Sequence, residues 1–230
     1  MSLQDRLDAF KADFEGGRLA FKPAAEALAT MHRATAELVA SSQAGRARKA
    51  GETAPDFTLT DEDGATISLR DLLAEGPLVI TFNRGVWCPY CNMELAALQA
   101  ALPEITARGA RLVAISPQTA VNARKAVTQN ALTFPILSDQ GGAVADAFGL
   151  RFAMPADLVA LYQSFGNDLP TTNADPSWTL PMPGRFVVGT DGVIAYAEVN
   201  PDYTTRPDPS ELLPVLDRLV AKAAAYTISG

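Results

Sequence analysis

Histidine is nearly missing from these 230 residues, cysteine occurs twice, and basic side chains are outnumbered by acidic ones, 19 against 26. Each scarcity excludes something. A zinc centre needs about four Cys, His or carboxylate ligands, yet Cys88 and Cys91 have no second pair. The single histidine, His32, lies in an N-terminal helical region and reads as a surface or packed residue. A net charge of −7 leaves no basic face for a phosphate backbone. The one cationic run, Arg46, Arg48 and Lys49, is short enough to be solvated linker, so no nucleic-acid partner is expected. Long apolar runs are missing as well. Asp5, Asp8, Asp13 and Glu15 interrupt the first stretch of the chain where a secretory leader would need an apolar core. No segment approaches membrane-spanning length, so no membrane partner is expected. The default compartment is then the cytoplasm, where a lone cysteine pair is more often catalytic or transient than a structural crosslink. Nothing implies a bound metal, flavin or nucleotide.

What is present is a 48% hydrophobic composition, enough for one sizeable core plus an appendage. Up to about Ser42, Phe10, Phe14, Leu28, Met31, Leu38 and Val39 recur at helical spacing, with Gly16 and Gly17 between two helices. We take 1–50 as a helical extension that packs on its own domain or on a second subunit, as in a homodimer. The main domain is 51–230. It opens with a hairpin around Asp61–Gly64, then a short helix at Leu69–Ala74. Leu78–Phe82 is apolar on both faces, as a central strand requires. A helix over Cys91–Ile105, kinked at Pro103, leads to the buried strand Leu112–Ile115. Next come a polar helix at Ala120–Asn130, a strand at Thr133–Leu137 and a short helix near Val144–Phe148. This alternation predicts a parallel βαβ unit in an α/β fold. From about 151 to 182 the pattern loosens, with a helix at Ala156–Phe165 and a Pro-, Thr- and Asn-rich stretch, and is read as an insertion. Two strands flanking Asp191–Gly192 and a helix starting near Pro209 close the chain.

The chemistry is concentrated in Trp87-Cys88-Pro89-Tyr90-Cys91, at the junction of a buried strand and a helix. Cys-x-x-Cys spacing brings two sulfurs within bonding distance at the first helical turn. Unpaired N–H groups and the positive end of the helix dipole favour a thiolate there, the form that attacks disulfides and peroxides. Arg84 either adds to that stabilisation or is a loop-surface arginine, and Trp87 either packs or lines the entrance to the cysteines. Inert core cysteines, or a structural disulfide closing a negligible loop, are the competing readings.

The pentapeptide resembles thioredoxins in its Trp-Cys start and glutaredoxins in Cys-Pro-Tyr-Cys. The wider frame of Ala54-Pro55-Asp56-Phe57, Leu78–Phe82, Cys91-Asn92-Met93-Glu94-Leu95 and Phe186-Val187-Val188 with Asp191-Gly192 resembles the alkyl hydroperoxide reductase and thiol-specific antioxidant family, the peroxiredoxins. The resemblance implies a thioredoxin-like fold, a central mixed β-sheet flanked by helices, with the N-terminal helical extension added. It places Cys91 at the peroxidatic position and Cys88 where the family has Thr or Ser. Arg84 stands where the family has a proline, and Pro183 where it has an arginine. Arg185 lies close enough to raise the question of replacement. Thioredoxins have a cis-proline facing the cysteines at the place of Pro183.

The expected function is thiol oxidoreductase chemistry that cycles Cys88 and Cys91 between dithiol and disulfide, with Trp87, Arg84, Pro183 and Arg185 as auxiliary residues. The substrate is a peroxide or a disulfide, and the reductant a thioredoxin- or glutathione-type thiol. A disulfide reductase without peroxidase activity and a redox-responsive binding module are the alternatives. Two further expectations can be checked in three dimensions. Pro183 is expected to be cis beside Cys88, and Cys88 to be the more exposed sulfur.

Overall fold

The α/β expectation holds in detail in a computed structural model, which describes residues 1–228. One sheet has seven strands in the order β2-β1-β5-β4-β3-β8-β9. Its centre is β3 (Leu78–Phe82), parallel to β4 (Arg111–Ser116), which is in turn parallel to β5 (Ile136–Ser138). The hairpin β1 (Thr58–Thr60) and β2 (Thr66–Ser68) extends one side. On the other side lie the antiparallel strands β8 (Gly184–Val188) and β9 (Ile194–Val199).

Because side chains alternate along a strand, β3 sends Leu78, Ile80 and Phe82 to one core and Val79 to the other. The first core is aromatic, with Phe82, Phe148 and Phe186 in mutual contact. The second receives Leu95, Leu98 and Ile105 from α4 (Pro89–Thr106) and Val215 and Leu216 from α9 (Leu213–Ile228). Proline at the first position of α4 suits its start, since no helical N–H is needed there. The helix continues through Pro103 to Thr106, because only its last turn lies beyond the proline. The strand expected at Thr133–Leu137 begins only at Ile136. Pro135 has no N–H to give, although its carbonyl still accepts from Ala114 at 3.0 Å.

Two additions surround the end of β3 where the cysteines lie. α1 (Leu3–Glu15) packs on α4, and α2 (Ala25–Ala40) packs on α7 (Ala156–Ser164), so the N-terminal helices rest on their own chain. Residues 151–182 fold as a two-stranded ribbon, β6 (Arg151–Ala153) with β7 (Thr179–Pro181), closing over α7 and the short α8 (Leu169–Asn173). Their apolar residues Met154, Leu158, Tyr162 and Leu180 pack with Ala34 of α2 and with Trp87.

Candidate active site

The turn from β3 into α4 is held by side chains that sequence periodicity could not single out. Asn83 Oδ1 accepts from the Gly85 N–H, Gln118 Oε1 from the Val86 N–H, and Asn92 Nδ2 donates to the Val86 carbonyl. Gly85 has φ +127°, and a Cβ there would come within 2.8 Å of the Trp87 indole nitrogen. This is one position where only glycine fits without strain. The turn delivers Cys88 as the N-cap of α4 and Cys91 one turn in, both as thiols.

Both sulfurs are covered, at 1% and 0% exposure. Cys88 was expected to be the more exposed sulfur, and the difference between the two is only this one per cent, so neither is open to bulk solvent. Leu3 and Leu7 of α1 close over the pair together with Tyr90. What separates the two cysteines is access, because Cys88 lines a pocket of about 260 Å³ that opens to the surface and Cys91 does not.

Behind Cys91 lies an ionic cluster. Glu94, one turn further along α4, accepts from Arg185 Nη2 at 2.7 Å, from Arg206 Nε at 2.7 Å and from Thr81 Oγ1 at 3.3 Å. Thr81 and Arg185 are cross-strand partners on β3 and β8, so the sheet presents both to α4. Burial would raise the Glu94 carboxyl, but Arg206 and Arg185 outweigh it and hold it below the usual carboxylate range. Arg206 Nη2 also donates to Cys91 Sγ at 3.8 Å, and the Arg84 backbone N–H donates to it at 3.5 Å.

On the Cys88 side the surroundings are aromatic. Arg84 is buried, which settles the surface alternative against it. Its guanidinium carbon lies 4.9 Å from the ring centre of Trp87 and 4.2 Å from that of Tyr203, and Nη2 donates to Tyr162 Oη at 2.8 Å. Burial pushes the Cys88 thiol up, but the hydrogen bond from Cys91 and the charges of Arg84 and Arg206 prevail, bringing it down to about 6. Cys91 moves the opposite way: burial and its hydrogen bond to Cys88 push it well above its ordinary value. The opposite shifts make Cys88 the sulfur of the pair that gives up its proton more readily. Such an arrangement can attack an electrophilic sulfur or oxygen and then resolve the adduct.

The structure brings Cys88, Cys91, Trp87 and Arg84 together. Arg185 reaches the site only through Glu94, without touching either sulfur. Pro183 is not part of it in the expected way. No peptide bond among the described residues is cis, and Pro183 lines a separate cavity with Arg84 and Tyr203. Between β7 and β8 the Met182 N–H donates to the Leu150 carbonyl and the Pro183 carbonyl accepts from the Asn200 N–H. Arg206, Glu94, Tyr162 and Tyr203 were not foreseen as site residues. Arg206 comes from a Pro- and Asp-rich loop whose composition gives no periodic signal, whereas Glu94 was visible only as part of the family-like Cys-x-x-Glu run. His32 is accounted for by a 2.8 Å contact with Glu15 on the surface.

A model of the AhpC/TSA family matches residues 50–197. Over 104 residues the chain is 34% identical to thiol-disulfide oxidoreductase ResA of Halalkalibacterium halodurans, covering 45% of this chain and 58% of that protein. It is 30% identical over 146 residues to the chloroplastic peroxiredoxin Q of Oryza sativa subsp. japonica, covering 64% and 57%. The chain thus spans little more than half the length of these relatives. Among solved structures, peroxidoxin BcpB from Mycobacterium tuberculosis superposes with a TM-score of 0.56 at 23% identity, over 77% of this chain and 97% of the other. A variant of peroxiredoxin 6 of Arenicola marina superposes with 0.59 at 20% identity, over 76% and 75%. These structural likenesses place the fold among the thioredoxin-like peroxiredoxin folds, and with more than half the chain matched by the family model, the protein belongs to the AhpC/TSA family.

Proposed function

We propose that the protein is a thiol-dependent peroxide reductase in which Cys88 attacks and Cys91 resolves. One observation carries this reading: Cys88 lines a pocket and Cys91 does not, and the neighbouring Arg84 and Arg206 act to lower the Cys88 thiol. The Cys88 thiolate attacks the terminal oxygen of a hydroperoxide, the O–O bond breaks, and the alkoxide leaves and takes a proton from solvent. Cys88 becomes a sulfenic acid. The Cys91 thiol then attacks the Cys88 sulfur, forming the disulfide and releasing water. An external thioredoxin-type dithiol, or two glutathione-type thiols in succession, returns two electrons by disulfide exchange. This order reverses the one that the family frame implies, in which Cys91 is oxidised first. Arg84 replaces the family proline in the turn, and its guanidinium stands where it can balance the thiolate and the departing alkoxide.

A second reading, a protein-disulfide reductase, draws on the lowered first thiol of the Cys-x-x-Cys and on the likeness to ResA. The burial of both sulfurs under α1 weighs against it, since a protein disulfide is far larger than a peroxide. Single variants separate the two. In Cys91→Ser, peroxide should leave a sulfenic acid on Cys88 that a dimedone-type probe captures. If Cys91→Ser instead traps only mixed disulfides with a protein thiol and ignores peroxide, the reductase reading holds.

A further inference from the structure

Leu3 and Leu7 of α1 give the sulfurs an apolar cover, and a cover alone needs no polar tie. Yet three hydrogen bonds join the start of α1 to the loop after β9. Arg206 N–H donates to Gln4 Oε1 at 2.9 Å, Gln4 Nε2 to the Thr204 carbonyl at 3.4 Å, and Leu3 N–H to Asp208 Oδ2 at 3.0 Å. Elsewhere the loop closes on itself: Thr204 N–H and Oγ1 donate to Asp202 Oδ1, and Thr205 N–H donates to the Asp202 carbonyl. Among the described residues, the hydrogen bonds that the 203–206 backbone makes beyond its own loop both go to Gln4. The Arg206 side chain is laid against that backbone, with Nη1 donating to the Tyr203 and Thr205 carbonyls at 2.7 Å each, while Nη2 reaches Cys91 Sγ at 3.8 Å. The place of the guanidinium follows the place of the loop, and Gln4 holds the loop.

From this chain of contacts we infer that Gln4 is a positioning residue: through the Arg206 backbone it holds the Arg206 guanidinium against Cys91, and so serves the resolving step rather than the attack on peroxide. The inference rests on the reading in which Cys88 attacks and Cys91 resolves, and gives α1 a part in it. In that step the Cys91 thiol gives up its proton and an S–S bond forms to Cys88. The S–O bond of the sulfenic acid breaks, and the hydroxide leaves as water with that proton. A cation beside Cys91 Sγ stabilises the thiolate as it develops. In the reduced pair, burial raises the Cys91 thiol first, followed by the hydrogen bond and charge of Cys88, while Arg206 and, after it, Arg84 lower it. Once Cys88 is an uncharged sulfenic acid, its opposing charge is gone and the two arginines act on Cys91 against burial alone. For Cys88 the order of the cations is reversed, with Arg84 ahead of Arg206. Displacing Arg206 therefore slows the resolving step more than the first.

The test uses the full reduced chain and hydrogen peroxide, with rapid acid quench and mass spectrometry to follow dithiol, sulfenic acid and disulfide separately. The rate of the first step is proportional to peroxide, and that of the resolving step is independent of it. Gln4 is half-buried, so Gln4→Ala is not expected to unfold the chain. In that variant the resolving rate constant near neutrality should fall about threefold, with its pH profile moved up about half a unit, while the first rate constant stays within about twofold. In Arg206→Gln the resolving step should fall further, and adding Gln4→Ala to it should cost nothing more, because both act through one contact. Should Arg206→Gln fail to fold, the pH profile of Gln4→Ala decides by itself. An unchanged resolving step, an equal fall in both steps, a slower resolving step with an unshifted profile, or an additive loss in the double variant overturns the inference and leaves peroxide reduction by Cys88 in place. Oxidation no faster than that of free cysteine, or a sulfenic acid on Cys91 in place of Cys88, overturns the functional reading and this inference together.

Discussion

Cys91 and Cys88 are three residues apart at the start of one helix, yet one is backed by an ionic cluster that reaches it through Arg206 and the other by aromatic rings. On the Cys91 side, Glu94, Arg185 and Arg206 meet in bonds of 2.7 Å, and the cluster links α4, β8 and the loop after β9. On the Cys88 side the one charge, Arg84, is laid against Trp87 and Tyr203, and space remains. The first region is built for rigidity: one carboxylate is shared by two arginines that come from different parts of the chain. The second is built for entry. The difference teaches that two sulfurs within one turn can be given opposite protonation states by what stands behind each, with no change in the motif itself.

The largest test of this contrast is Cys88→Ser, which should lower the peroxide rate constant about a thousandfold or more, as removal of a nucleophile does. Cys91→Ser should keep the first oxidation step within a few-fold. Rapid oxidation of the Cys88→Ser protein would reverse the roles and break the comparison at its centre. Next, Glu94→Ala would leave Arg185 and Arg206 buried without their shared partner and should cost about 3–5 kcal/mol in urea unfolding. A loss under about 1 kcal/mol would show that the ionic side does not hold the fold together.

A smaller effect is expected from Arg84→Met, which removes the stronger of the two cations acting on Cys88. Thiolate absorbance should then titrate roughly one pH unit higher, lowering the rate near neutrality about tenfold. The same property links to stability. Cys88 ionises more easily folded than unfolded, so its contribution is complete above the unfolded value of 9.0 and is lost as pH falls through about 6. Reduced protein should therefore gain stability from pH 6 to 9 relative to Cys88→Ser, by no more than about 1.4 kcal/mol per pH unit. A flat difference across that window would remove the claim of a folded-state thiolate. The smallest change belongs to the surface. Arg18→Ala breaks an exposed pair with Asp13 and should shift unfolding by less than about 0.5 kcal/mol.

How far the residues alone reach is seen by setting α4 beside Arg206. A strand apolar on both faces, a Pro after the first cysteine and Leu95, Leu98 and Ile105 at helical spacing placed the sulfurs at a strand-to-helix junction, where they are. Local pattern sufficed because the motif and its helix are contiguous. Arg206 is 115 positions from Cys91 and reaches it through a loop fixed by contacts of its own carbonyls and of Gln4, none of which leaves a periodic trace. Arg185 was noticed for its nearness to Pro183, but its work is to anchor Glu94, which needed the β3–β8 register to be seen. The cis-proline expectation failed because analogy of position does not fix the path of the chain, and here the link from β7 to β8 is held by bonds from Met182 to Leu150 and from Asn200 to Pro183.

The site's charge balance also bears on redox poise. Arg84, Arg185 and Arg206 are all buried, and Glu94 is the one fully buried carboxylate among them, with Glu198 and Asp208 acting on Arg185 from less buried positions. The Cys88 thiolate is a further anion, and it exists only while the pair is reduced. A Cys88–Cys91 disulfide would be neutral and would take one anion away from beside Arg84 and Arg206. Folding energy would then favour the dithiol, placing the couple toward the oxidising end of the scale and making the disulfide easy for an external thiol to reduce. The same arginines that prepare Cys88 to attack would also drive its return to the reduced state.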